Sequence, residues 1–386
     1  MPNRREFLKD VSTATAGIFF VGCGLVDSAL GAAAQAGSAR QSGGTVKRRQ
    51  VVVGGRRVMT VDLHCHVTIP DAWDLIKDDP QAINVQIGQT DPASPKGPQL
   101  DPRNVKDRLT EMDKMGIDVQ AVGVNPFWYR TEREMARRIV KLQNERIAEM
   151  CAAYPDRFVG MATVALQHPD LAAEQLEEAV RKLGMRGAMI GGSINGEEIA
   201  APKFHPFWAQ AEELGTLIFI HPQGFPDGQK RFQGNGTLGN VIGNPLETTV
   251  ALSHLIFEGT LDRFPGLKIC AAHGGGFLPS YIGRSDHCVN FNGDFPAACK
   301  PVKKLPGEYL KQLYFDSIVF TAEGLRHLVA EVGASQIVLG TDWPYGMGDP
   351  AAVDHILRTP GLKDAERRAM LGGTAAKLLR IAEKQG

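Results

Sequence analysis

Short apolar runs alternate with helix-like segments eight times along the chain, and this alternation constrains the fold more than any other feature. Strands that are separated by helices indicate βαβ units and a parallel sheet. Eight such units predict an α/β fold of the (β/α)8 TIM barrel type. A doubly wound open sheet is the alternative, but no G-x-G-x-x-G motif follows the first strand. The predicted strands are Met59–Cys65, Ile117–Val124, Phe158–Leu166, Met185–Gly191, Thr216–His221, Leu267–His273, Leu313–Phe320 and Ile337–Asp342.

The barrel is predicted to be a single domain over residues 58–386. A barrel of this type needs about 250 residues, and the chain has 386, so there is room for long loops. We expect insertions after strand one, at 67–100, and after strand five, at 222–245. Both would lie at the carboxyl end of the barrel, where enzymes with this fold place their active sites.

The amino-terminal residues resemble an export signal. Arg4 and Arg5 precede an uncharged, mildly apolar run at 11–26, as in a twin-arginine signal peptide. This run is shorter than the roughly 20 apolar residues that span a bilayer. A small-residue cleavage site at Ala32–Ala34 would end the signal. We therefore expect a signal peptide over residues 1–34 and a periplasmic protein without a membrane span in its mature chain.

Residues 35–57 are rich in Gly, Ser, Gln and Arg and are predicted to be a linker. The six cysteines are widely spaced and form no C-x-x-C motif, which argues against a disulfide framework or a structural zinc site. Two local alternatives stay open: lipidation of Cys23, and a pairing of Cys288 with Cys299.

The charges of the chain are balanced, with 43 Lys and Arg against 43 Asp and Glu. This balance provides no electrostatic footprint for nucleic acid and no polybasic patch for anionic lipid. The expected partner is therefore a small-molecule substrate. No G-x-S-x-G elbow and no P-loop is present, so serine hydrolysis and nucleotide hydrolysis have no support.

Candidate metal ligands stand at the ends of four predicted strands. His64 and His66 end strand one, and side chains two positions apart share one face of a strand. Strand five leads into His221, strand six into His273 and strand eight into Asp342. Each ionisable group directly follows a buried apolar run, at the catalytic end of a barrel.

Imidazoles and a carboxylate suit Zn²⁺, with Mn²⁺, Fe²⁺ or Co²⁺ as alternatives. A catalytic ion keeps an open position, where a bound water is acidified. Centres with two metals often use a modified lysine on strand four, and Met185–Ile190 contains none. We therefore expect one divalent ion, with Zn²⁺ as the first choice.

Taken together, these motifs resemble the amidohydrolase-related proteins of the aminocarboxymuconate-semialdehyde decarboxylase type. The resemblance runs from His64 to about Ile381. It is carried by His64-x-His66, Phe219-Ile220-His221-Pro222, Gly243-Asn244-Pro245-Leu246-Glu247-Thr248-Thr249, Ala272-His273-Gly274-Gly275-Gly276, Gly283-Arg284-x-x-His287 and Gly340-Thr341-Asp342-Trp343-Pro344.

The resemblance implies specific roles for six side chains. His273 matches the histidine that handles the metal-bound water or a substrate proton, and Asp342 is expected to share in catalysis. Arg284 matches an arginine that binds a substrate carboxylate, in some members in a neighbouring subunit's site; a homodimer is expected. The implied metal ligands are His64, His66, His221 and Asp342.

Two departures from the family pattern concern the substrate. The decarboxylase type has a second carboxylate-binding arginine in the loop after strand one, whereas Asn84–Ile87 has none. It also has a tryptophan after the strand-five His-Pro pair, where this chain has Gln223. The resemblance therefore supports the scaffold and the metal centre more than one particular substrate.

The sequence leaves three functions open. The first is a metal-dependent decarboxylase-like carbon–carbon lyase that acts on a small carboxylate-bearing aromatic or conjugated substrate. The second is a metal-dependent hydrolase of a small cyclic ester or amide. The third is a catalytically silent binding protein, which has no need of an open metal site beside a base. Arg284 favours the lyase.

Overall fold

The computed structural model describes residues 47–78, 104–125, 128–291 and 302–382. All of them lie in one compact unit that begins at Lys47. The predicted signal peptide with Cys23, the stretch at 84–87 and Cys299 lie outside the described residues.

Eight parallel strands close into a barrel in chain order, which confirms the predicted (β/α)8 fold. Each strand pairs with the next one along the chain, and the last pairs with the first. The strands are β1 (Val61–His66), β2 (Val119–Gly123), β3 (Phe158–Ala162), β4 (Gly187–Ile190), β5 (Leu217–Ile220), β6 (Lys268–Ala271), β7 (Leu313–Asp316) and β8 (Ile337–Trp343).

Helices surround the barrel and bury their apolar faces on the outer side of the strands. They are α1 (Pro70–Ile76), α2 (Val105–Met115), α3 (Arg133–Ala153), α4 (Pro169–Arg181), α5 (His205–Leu214), α6 (Asn244–Phe257), α7 (Thr260–Arg263), α8 (Leu278–Asn290), α9 (Pro306–Tyr309), α10 (Ala322–Val332), α11 (Ala352–Arg358), α12 (Asp364–Arg368) and α13 (Thr374–Leu379). Among the described residues, no helix is both long and apolar enough to cross a membrane.

The barrel interior is filled by side chains rather than open. Leu63, Met161, Met189 and Phe219 belong to one buried cluster there, as expected for a small parallel barrel. The ionisable groups lie above this apolar layer, so that the packed core forms the floor of the site.

The chain between β5 and α6 forms the predicted second insertion. It contains a short 3₁₀ turn at Pro226–Gly228 and a π-helical turn at Gly239–Gly243, which runs directly into α6. In the first insertion, α1 is described, whereas residues 79–103 lie outside the described part. A short hairpin at 193–198, after β4, is an additional feature that the sequence pattern does not predict.

Residues 47–57, which the sequence places in the linker, pack on the barrel in the structure. Val52–Val53 and Arg56–Arg57 form a two-stranded hairpin. Val51 and Val53 are buried, and Arg49 makes a two-pronged ion pair with Asp354 at 2.6 and 3.0 Å. The two buried valines explain why this mostly polar segment packs on the barrel: they insert apolar side chains into the core.

The described cysteines differ in state. Cys65, Cys151 and Cys270 are free, whereas Cys288 on α8 is disulfide-bonded.

Candidate active site

Three imidazoles and one carboxylate converge at the carboxyl end of the barrel. His64, His66, His221 and Asp342 each offer one ligand atom, and these atoms all lie within 4.8 Å of one another. All four residues are buried. The structure thus brings together the four residues that the sequence proposes as metal ligands.

Irregular pairing in β1 turns both of its histidines toward this point. Leu63 faces the barrel interior, so strict alternation would turn His64 outward. The pairing of β1 with β2 shifts register between Asp62 and Cys65, which is how a bulge re-aims the side chains that follow it. As a result His64 and His66 share the inner face, and Cys65 packs in the outer core.

The ligand atoms have the spacing that a metal site requires, and some of them have no hydrogen-bond partner in the part of the chain that the structure describes. Ligands at 2.0–2.2 Å from one tetrahedral ion lie about 3.3 Å apart. His66 Nε2 lies 3.1 Å from His64 Nε2 and 2.8 Å from Asp342 Oδ1, and His221 Nε2 lies 4.0 Å from the same oxygen. Both ring nitrogens of His221 are buried without a hydrogen-bond partner in the described part of the chain. The residues present therefore fit a divalent ion.

Burial and charge set the protonation of these groups. Burial lowers the pKa of His66 to about 4 and that of His221 well below its ordinary value, so both are neutral and able to ligate. Burial also opposes a charge on His64, but Asp342 and Asp316 outweigh it and raise its pKa to about 10. Burial likewise opposes a charge on Asp342, but the imidazoles outweigh it, and its pKa lies well below the ordinary range.

Two buried carboxylates support the ligand group, and the sequence-based site omits both. Asp316, at the end of β7, accepts a hydrogen bond from His64 Nδ1 at 2.6 Å. Asp62 accepts one from the backbone N–H of His64 at 3.2 Å. The signal for Asp316 is the one used for the other strands, an ionisable residue at the end of an apolar run, but the apolar residues 318–320 conceal it.

His273 lies beside the ligand group but outside it. Its Nε2 is 3.8 Å from Asp342 Oδ2, whereas Asp342 Oδ1 faces His64 and His66. The two oxygens of Asp342 therefore face different neighbours. The side chain of His273 is 17% exposed, and Nδ1 has no hydrogen-bond partner among the described residues.

A glycine run allows the turn that presents His273. His273 itself has φ 55°, and Gly274, Gly275 and Gly276 follow with positive φ. A Cβ on Gly276 would lie 2.1 Å from the carbonyl oxygen of Pro245, so only glycine allows α6 to approach this turn.

A cavity of about 280 Å³ opens above His221, His273 and Asp342. This volume lies just below the range of about 300–1,000 Å³ that is usual for ligand pockets. Side-chain amides form much of its wall, together with Tyr345 and Met347; the amide residues are Asn125, Gln223, Asn240 and Asn244.

Arg284 is not brought into this cavity. It lies on α8 and is exposed, and it is not among the described residues that line the pocket of its own chain. Tyr281 lies three residues before Arg284 on α8, and Phe277 lies four residues before Tyr281, at the residue that precedes the helix. They are 70% and 37% exposed.

Residues 61–381 match the model of the amidohydrolase family. The chain belongs to this family. A 2-amino-3-carboxymuconate-6-semialdehyde decarboxylase of Dictyostelium discoideum is 31% identical over 274 residues, which are 70% of this chain and 75% of the relative.

Two solved structures share the fold of this amidohydrolase. The 5-carboxyvanillate decarboxylase of Sphingomonas paucimobilis has a TM-score of 0.76 and 26% identity, over 84% of this chain and all of the other. A dihydroxybenzoic acid decarboxylase of a Polaromonas species, with bound manganese and the inhibitor 2-nitroresorcinol, has a TM-score of 0.68 and 26% identity, over 84% and 97%. These findings confirm the predicted family and the prediction of a metal-dependent enzyme of the carboxy-lyase type.

Proposed function

We propose that this amidohydrolase removes the carboxylate of a small hydroxylated aromatic acid as carbon dioxide. The observation that carries the proposal is the divided role of Asp342: one oxygen faces the ligand group and the other faces His273 at 3.8 Å, on the floor of a small cavity. A metal ligand and a proton carrier thus meet where a substrate would lie.

In this reaction, one ring carbon loses its bond to the carboxylate and gains a bond to hydrogen. A proton adds to the carbon that bears the carboxylate, the carbon–carbon bond breaks, and its electron pair restores the aromatic ring as carbon dioxide leaves. A bound divalent ion would supply a Lewis acid for an oxygen of the substrate. His273 would hold and move the proton together with Asp342 Oδ2. The 3.8 Å between the two atoms is longer than a hydrogen bond and should shorten when substrate binds.

The side-chain amides in the cavity wall favour a substrate whose aromatic ring carries uncharged polar groups. Asn125, Gln223, Asn240 and Asn244 offer both donors and acceptors without a net charge. Phenolic hydroxyls match such partners. The named relatives act on 2-amino-3-carboxymuconate-6-semialdehyde, 5-carboxyvanillate and dihydroxybenzoic acid. Of these, dihydroxybenzoic acid best suits a wall of neutral amides.

The direct test is carbon dioxide release from a panel of acids by the metal-loaded protein. We expect turnover of mono- and dihydroxybenzoates, with disappearance of substrate absorbance and stoichiometric carbon dioxide. Lactones and cyclic amides form the control panel for the hydrolase alternative. Hydrolysis of these compounds without decarboxylation of any acid would refute the proposal.

We propose Zn²⁺ as the resident ion, on the basis of three imidazoles and one carboxylate. Manganese in the Polaromonas relative makes Mn²⁺ the competing ion. Elemental analysis of protein purified without added metal tests this choice, and one equivalent of Mn²⁺ without zinc would contradict it.

We further propose a homodimer in which Arg284 serves the partner's cavity. The exposed Tyr281 and Arg284 of α8 and the exposed Phe277 just before it form one stripe, which an interface between two copies would cover. Sedimentation tests the dimer, and Tyr281→Glu is expected to yield monomers with weaker substrate binding. Monomeric wild-type protein with full activity would contradict this part.

Export to the periplasm is also proposed. Arg4 and Arg5 support it, and so does the disulfide at Cys288, because disulfides persist in oxidising compartments. Changing both arginines to lysine is expected to leave the protein in the cytoplasm, as measured by fractionation. Unchanged delivery of the double variant would show that another signal operates.

A further inference from the structure

One fully buried carboxylate, Asp316, accepts four hydrogen bonds in two pairs. Its Oδ2 accepts from His64 Nδ1 at 2.6 Å and from the backbone N–H of His273 at 2.8 Å. Its Oδ1 accepts from the backbone N–H groups of Gly274 at 2.9 Å and Ile318 at 3.0 Å. A single side chain therefore contacts both a metal ligand and the turn that carries the proposed proton carrier.

We infer that Asp316 is a positioning residue that couples metal binding at His64 to the placement of His273. The inference rests on the proposed function, because that function gives His273 its role in proton transfer. Asp316 itself is far too enclosed by these four donors to act on a substrate.

The first half of the coupling is the tautomer of His64. A bound metal would replace the Nε2 proton of His64, and the remaining proton then lies on Nδ1, because the Asp316 carboxylate only accepts. Nε2 is in this way left to ligate, next to His66 and Asp342. Without Asp316 the ring could rotate or place its proton on Nε2, and both changes would weaken metal binding.

The second half is the backbone of His273. This residue has φ 55°, a left-handed conformation that side chains rarely adopt and that the surroundings must hold. Asp316 binds two successive N–H groups of this turn, at His273 and Gly274. The direction from which the imidazole reaches Asp342 is thus fixed by the same carboxylate that orients His64.

Asp316→Asn tests both halves without changing the size of the side chain. An amide has one acceptor oxygen, so in either orientation its NH₂ group faces two N–H donors. We expect the dissociation constant of the metal to rise 10- to 100-fold. At saturating metal, kcat should also fall at least tenfold, with a smaller change in KM.

Asp118→Asn is the matched control. Asp118 is also buried, at the opposite end of the barrel, and accepts hydrogen bonds from the Thr60 N–H at 2.9 Å and from Arg57 Nη2 at 2.6 Å. Its loss should lower Tm and leave metal affinity and kcat unchanged. The Asp316 variant should differ from it in those two quantities.

The visible absorption of Co²⁺-loaded protein gives a readout that needs no substrate. We expect a changed Co²⁺ spectrum in Asp316→Asn and the wild-type spectrum in Asp118→Asn. If the asparagine variant does not fold, Asp316→Glu keeps the charge, displaces both oxygens by one methylene and should show the same two losses.

Wild-type metal affinity and kcat in either Asp316 variant, with only a lower Tm, would overturn the coupling and leave a purely structural carboxylate. Failure of the proposed function would look different. Wild-type protein would then decarboxylate none of the acids, while the metal affinities and the Co²⁺ spectra still report the His64 half.

Discussion

Replacement of His273 by asparagine separates catalysis from metal binding. The residue lies outside the group of four ligand atoms, and its imidazole makes no hydrogen bond through Nδ1 within the described structure. Asparagine tolerates the left-handed backbone at φ 55° better than alanine does. The variant should therefore fold, keep its ion and lose only the group that moves the proton.

The expected loss in kcat is 10²- to 10⁴-fold, the usual contribution of a general acid or base. This corresponds to about 2.7–5.4 kcal/mol of transition-state stabilisation. Since the substrate would still bind the ion and the amide wall, KM should change far less than kcat. Metal content should stay at that of the wild type.

The assay combines carbon dioxide release at saturating metal with elemental analysis of the same samples. His327→Asn is the control, because His327 is a half-exposed histidine on α10 with a loose ion pair to Glu331 at 3.9 Å. A kcat within threefold of wild type would refute the role of His273. Loss of the metal from His273→Asn would show instead that His273 is a ligand.

Three further outcomes test other parts of the site. His64→Ala should lower metal content and turnover together, and full occupancy of the variant would remove His64 from the ligand set. Arg284→Ala should weaken binding of an acidic substrate by about 1.5–3 kcal/mol, the value of a charge-assisted hydrogen bond, and an equal loss for a neutral analogue would make Arg284 structural. Burial, aided by Glu198 and Asp227, raises the pKa of Glu247 from 4.5 to about 7. Between these two pH values the folded state binds a proton that the unfolded state has lost, so the free energy of unfolding should fall as pH rises from 4.5 to 7. Glu247→Gln should flatten this pH dependence in urea titrations. An unchanged dependence would mean that other groups cause it.

The order and number of the strands could be predicted from the sequence, but their ends could not. The third predicted strand continues to Leu166, whereas β3 ends at Ala162. The reason is Asn144 of α3, whose side chain accepts from Thr163 N at 2.9 Å and donates to Thr163 O at 3.0 Å. The Asn144 side chain thus satisfies the N–H and C=O groups of Thr163, which a neighbouring strand would otherwise pair. The apolar pattern of the sequence does not reveal this contact.

The seventh strand shows the same limit and explains why the sequence does not reveal Asp316 as a site residue. The apolar run predicts a strand to Phe320, whereas β7 ends at Asp316. The carboxylate accepts the N–H of Ile318 at 3.0 Å and so satisfies the backbone where the strand stops. The apolar residues on both sides of Asp316 predict a position inside the strand, whereas the structure places Asp316 at the strand's last residue.

The bulges around the ligand group depend on contacts between residues that are distant in sequence. Asp62 Oδ1 accepts from the N–H groups of His64 at 3.2 Å and Thr341 at 3.1 Å, and Oδ2 accepts from Thr341 Oγ1 at 2.7 Å. One carboxylate therefore fastens β1 to β8 where both strands depart from regular pairing. In regular strands, the backbone groups of β1 and β8 would pair with each other. The side chains of His66 and Asp342 would then not converge. Because the clamp draws the two irregular ends together, His66 Nε2 and Asp342 Oδ1 come within 2.8 Å. The residue types at the strand ends thus indicate which atoms could bind a metal, whereas the buried acids beneath them determine that those atoms meet.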